Sequence, residues 1–75
     1  MGKYDQAIEC YDKAIALEPR DFAAWHNKGE LLFSLKKHDQ AIECYDKAIA
    51  LNPNFAGAWY NKALIFDELK NTIRL

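Results

Sequence analysis

No apolar run in this 75-residue chain approaches the ~20 residues needed to cross a bilayer, and no basic stretch followed by an apolar core marks a secretory leader. These absences point to a cytoplasmic chain without a membrane partner. Neither charge sign is in excess: ten basic residues face eleven acidic ones, for a net charge of −1. Such a chain has no electrostatic footprint for nucleic acid. Proline occurs twice and glycine three times, which leaves little sequence for loops. No segment alternates apolar and polar residues with a period of two, so no strand is expected. Half the residues are apolar (51%), too many for a disordered chain. A chain of this length is at most one small domain, whose unfavourable surface-to-volume ratio calls for partners or very regular packing.

What the chain does contain is a duplication. Asp39 through Leu51 repeats Asp5 through Leu17 residue for residue, thirty-four positions later. Each copy is followed, one residue on, by a proline, Pro19 and Pro53. The offset continues outside the block, with Ala24-Trp25 answering Ala58-Trp59 and Asn27-Lys28 answering Asn61-Lys62. A fixed period of this size is the mark of a stacked-repeat architecture.

Residues 1–3 read as a stub. From Tyr4, the apolar positions Tyr4, Ala7, Ile8, Tyr11, Ala14, Ile15 and Leu17 recur at intervals of three and four, one stripe of a helix over about 3–17. Pro19 stops it, because the residue before a proline avoids the α region. Asp21 is placed to cap a second helix over 22–35, with Phe22, Trp25, Leu31, Leu32 and Leu35 on its apolar face and Ala24 and Gly29 allowing close approach. Lys36-Lys37-His38 turns the chain into a third helix over 38–51, which Pro53 ends. Glu9–Lys13 and Glu43–Lys47 are spaced as i,i+4 ion pairs. Asn54 is placed to cap a fourth helix with Phe55, Ala58, Trp59, Ala63, Phe66 and Leu69 on its buried side, running into the early 70s. The internal match fails over 71–75, where fraying is expected.

Two helices per thirty-four residues, carrying Trp25, Gly29, Ala41, Tyr45, Ala48 and Pro53 in this order, resemble the tetratricopeptide repeat. Tyr45 replaces the family's phenylalanine, Leu32 its tyrosine and Lys28 its leucine. The resemblance covers nearly the whole chain and implies a single all-α domain, a short right-handed segment of α-solenoid. In it residues 22–55 form a complete repeat, 1–21 the second helix of a partial repeat and 56–75 the first helix of another. It also implies a non-catalytic scaffold that binds a protein or peptide on its concave face. The groove of the family is lined by first-helix residues turned from the core, here Ala23, His26, Asn27, Glu30 and Ser34, then Gly57, Tyr60, Asn61, Leu64, Asp67 and Glu68. Asn27 and Asn61 each offer a donor and an acceptor, enough to clamp a peptide backbone, or to bond no more than the neighbouring turn. The chaperone-binding subset of the family holds a terminal carboxylate with lysines. His26, Tyr60, Ala23 and Gly57 stand in the corresponding places here, which argues against that ligand. Lys28 and Lys62 read as buried stems with solvated heads.

The helix expected at each end lacks one neighbour. Tyr4, Ile8, Tyr11 and Ile15 at one end, and Ile65, Phe66 and Leu69 at the other, are expected to form uncovered stripes. The alternative function is therefore a self-assembling structural module with no peptide ligand. Cys10 and Cys44 occupy the same repeat position, with two helix layers between them, so free, half-buried thiols are expected rather than a disulfide. Neither they nor His26 and His38 have zinc-site spacing. No phosphate-binding loop or nucleophile motif is present, so no metal, cofactor or enzymatic activity is expected.

Overall fold

A computed structural model of the chain describes residues 2–74, and the side chains of 3–70. Every regular element among them is a helix: α1 (Gly2–Leu17), α2 (Phe22–Ser34), α3 (His38–Leu51) and α4 (Ala56–Arg74). α1 begins two residues before its apolar stripe, so Gly2 and Lys3 join the helix instead of forming a stub. α4 continues through the segment where the internal match fails; Leu75 lies outside the described residues.

The helix ends follow local chemistry. α1 and α3 each stop two residues before a proline, with Glu18 and Asn52 donating their backbone N–H to Ala14 and Ala48. The following turns close by the same bond, Asp21 to Glu18 and Phe55 to Asn52, both at 3.0 Å. Each turn is tied to the next helix by an indole: Trp25 Nε1 donates to the Pro19 carbonyl at 3.1 Å and Trp59 Nε1 to that of Pro53 at 2.9 Å. Asp21 caps α2 by accepting from the Ala23 N–H. Asn54 does not cap α4, because that helix begins at Ala56 and the cap position falls on Phe55, the repeat counterpart of Asp21. α2 ends in a Schellman turn, in which Lys36 donates to the Phe33 carbonyl and Lys37 to that of Leu32. Lys36 holds the left-handed residue of that turn at φ 66°, where glycine is usual.

The helices stack in chain order. α3 lies between α2 and α4, α1 packs on α2, and α2 and α4 meet along a narrower line. Leu32, Ala41, Cys44, Tyr45, Ala48, Ala58 and Ile65 form the core, with Ile8, Phe22, Trp25, Phe33, Ile42, Ile49, Phe55 and Leu69 packed around it. Tyr45 and Ile65 are the largest fully buried side chains. The slab measures only 42 × 33 × 14 Å, so little of it is far from the surface. Small residues bring α2 and α3 together: Ala41 and Ala48 are fully buried, and Gly29 faces the Tyr45 ring.

The duplication extends to side-chain contacts. Lys28 pairs with Asp12 at 2.6 Å and Lys62 with Asp46 at 2.5 Å, so both lysines are half-buried and paired with the helix before them. The two i,i+4 pairs expected on α1 and α3 are not among the ion pairs of the described residues. Lys47 instead extends over the Trp25 ring, 5.8 Å from its centroid. The two cysteines are free but not equivalent, since Cys44 is buried and Cys10 exposed. Both were expected to be half-buried; the difference arises because α2 covers Cys44 and nothing among the described residues covers Cys10.

Candidate functional site

The side of α2 that carries His26 and Glu30 faces the side of α4 that carries Gly57 and Asn61. Asn61 Nδ2 donates to Glu30 Oε2 at 3.3 Å, and His26 Nε2 lies 3.4 Å from the same oxygen. A Cβ on Gly57 would stand 3.6 Å from His26 Cε1. The imidazole packs edge-on against Phe55, with centroids 4.7 Å apart, and Phe55 packs edge-on against Phe22 at 4.9 Å. Tyr45 from α3 lies beneath, its ring 5.6 Å from that of His26.

Two polar atoms of this cluster, His26 Nδ1 and the Tyr45 hydroxyl, are buried without a partner among the described residues. Burial, and then the Glu30 carboxylate, push the Tyr45 phenol up to about 12; Asn61 acts the other way without meeting the hydroxyl in hydrogen-bonding geometry. The hydroxyl is therefore a neutral donor held under the α2/α4 surface. The site list drawn from the resemblance had no place for it, although Tyr45 at a position where the family has phenylalanine was the available signal.

The remaining candidates divide. Asn27, Ser34 and Asp67 are exposed, as are Tyr60, at 66%, and Leu64. Glu68 is engaged within the chain, where its Oε1 accepts from Lys36 Nζ at 3.1 Å and meets His38 Nε2 at 3.0 Å. Those two hydrogen bonds hold its carboxyl below the usual 4.5. The site thus brings together His26, Glu30 and Asn61, leaves Asn27, Ser34, Tyr60, Leu64 and Asp67 open beside them, and ties Glu68 to the α2–α3 turn.

The uncovered stripes expected at the ends are only partly present. Ile65 was placed on one, yet it is fully buried. It lies two turns beyond Ala58, on the side of α4 that meets the core. Leu69 and Ile8 also pack against the core, while Tyr11 and Ile15 are half-buried. Tyr4 and Phe66 are open, Phe66 at 52%. The open surface of α4 also includes Trp59, at 51%, and Ala63, both expected to be buried.

Antiparallel helix pairs repeated at a thirty-four-residue period, with matching turns, indole ties and ion pairs, define a helix-turn-helix repeat protein. Models described as tetratricopeptide repeat match residues 22–55 and 44–74, and one described as TPR repeat matches 1–36. The chain belongs to the tetratricopeptide-repeat family, whose repeats generally mediate protein–protein interaction. No match was found among curated proteins. No helix among the described residues is long and apolar enough to cross a membrane.

Proposed function

We propose that the chain is a non-catalytic interaction module that holds an extended peptide segment along the α2/α4 face. In this reading residues 22–55 are the complete repeat, and the segments on either side supply the flanking helices of partial repeats. The observation that carries the reading is the shared carboxylate of Glu30, which joins His26 and Asn61 across the two helices while Asn27, Tyr60 and Leu64 stand exposed around it. A carboxamide pair supplies donors and acceptors for a peptide backbone, and Tyr60 and Leu64 supply apolar contact.

The charge of the face specifies the peptide. Glu30 and Asp67 stand on it, whereas Lys28 and Lys62 are held by Asp12 and Asp46. A segment with basic side chains suits such a face, and a terminal carboxylate does not. Two free thiols agree with a reducing compartment such as the cytoplasm.

The test is selection from a displayed library of extended peptides, followed by titration of the selected sequences against the parent and an Asn27→Ala/Asn61→Ala variant. The expected peptides are basic, and the double variant should bind them roughly tenfold or more weakly, since each lost bond leaves a backbone group unpaired. Its melting temperature should stay close to the parent's. Undiminished binding by the double variant would refute the reading.

A further inference from the structure

We infer that the open side of α4 is a docking surface for α1 of a second copy of this chain, so that copies join head to tail. The chain already makes this contact once, between α2 and α3. There, Trp25, Gly29 and Leu32 are covered by Ala41, Cys44, Tyr45 and Ala48, all four of them buried. Tyr45 reaches the Gly29 backbone, and Lys47 extends over Trp25. Thirty-four residues on, Trp59, Ala63 and Phe66 occupy the places of Trp25, Gly29 and Leu32. Trp59, Lys62, Ala63 and Phe66 line an open depression of about 270 Å³, and no helix among the described residues lies over it.

The complementary half is at the other end. α1 carries, over Asp5–Leu17, the same sequence with which α3 covers α2. Its Ala7, Cys10, Tyr11 and Ala14 correspond to the four buried residues of α3, yet Cys10 is exposed and the other three only half-buried. The opposite side of α1 packs on α2 through the Asp12–Lys28 pair, as α3 packs on α4 through Asp46–Lys62. α1 of one copy against α4 of another would therefore occupy the place α3 holds between α2 and α4. Tyr11 would lie over Ala63 and Lys13 over Trp59.

The fit differs from the internal one in Phe66 standing for Leu32, in Lys62 Nζ lying over the Trp59 ring, 6.0 Å from its centroid, and at one backbone approach. A Cβ at Gly29 would stand 2.8 Å from the Tyr45 ring, and Ala63 carries that Cβ. Tyr11 must stand off, which makes the contact weaker than its internal counterpart and dependent on concentration. The contact is heterologous, so every open assembly keeps a free α1 and a free α4 at its ends, and only closure into a ring removes them.

Two exposed substitutions test it, Phe66→Glu blocking α4 and Cys10→Glu blocking α1, with circular dichroism confirming that both variants fold. Measured by light scattering behind size exclusion from micromolar to millimolar, the parent should grow in mass with concentration. Each variant alone should stay monomeric. Their mixture should form a one-to-one dimer that grows no further, because Phe66→Glu keeps an intact α1 and Cys10→Glu an intact α4. Ala63→Gly should move the parent's midpoint to a concentration lower by roughly tenfold, by admitting the closer approach. A parent that is monomeric throughout, a mixture that does not pair, or a parent that stops at a dimer both variants still form would overturn the inference.

Discussion

Gly29 and Tyr45 fix the spacing of α2 and α3. A Cβ on Gly29 would stand 2.8 Å from Tyr45 Cε1 and 3.0 Å from Cδ1, and the ring is fully buried. Gly29→Ala gains about 1 kcal/mol of helix propensity and loses about 1–3 kcal/mol to overpacking. The expected net result in urea denaturation is a less stable variant. A variant more stable than the parent would show that the ring can move.

The Tyr45 hydroxyl has no hydrogen-bond partner among the described residues. Tyr45→Phe removes a buried, unsatisfied group and should leave the protein at least as stable as the parent, with a gain of about 1 kcal/mol. The same variant alters the alkaline limb. Burial raises the folded phenol to about 12, whereas the unfolded chain ionises at its ordinary 10. The folded state keeps a proton that the unfolded state has released, so this contribution is complete below pH 10 and is lost as pH rises towards 12. Thermal melting across that window should show a smaller loss in Tyr45→Phe than in the parent.

Glu68 contributes to the acid limb, because hydrogen bonds from Lys36 and His38 hold its carboxyl below 4.5. Folding favours its ionised form, so the contribution is present above pH 4.5 and is lost as pH falls through the lower, folded value. Glu68→Gln should melt at a lower temperature than the parent at neutral pH. The gap should narrow in acid. A gap unchanged across the titration would assign the difference to packing instead of charge.

Much of this was legible from the residues. The thirty-four-residue period, the prolines and the small residues at Gly29, Ala41 and Ala48 are local or repeating signals, and they give helix order, helix ends and the closest packing. What could not be read depends on neighbours distant in the sequence. Ile65 and Phe66 are adjacent and both apolar, yet α4 turns one into the core and leaves the other open. Cys10 and Cys44 have identical local sequences and opposite exposure. The cluster on the α2/α4 face was legible as a set of positions, but the bond from Asn61 to Glu30 and the capture of Glu68 by the α2–α3 turn required the packed helices.

The most direct test of the binding face is amide chemical-shift mapping of the isotope-labelled chain with a selected basic peptide, carried out on Phe66→Glu so that assembly does not interfere. Perturbations should cluster at Asn27, Glu30, Tyr60, Asn61 and Leu64. Shifts confined to Cys10, Tyr11, Trp59, Lys62 and Ala63, with the α2/α4 face unmoved, would contradict the account and leave the ends as the chain's interaction surface.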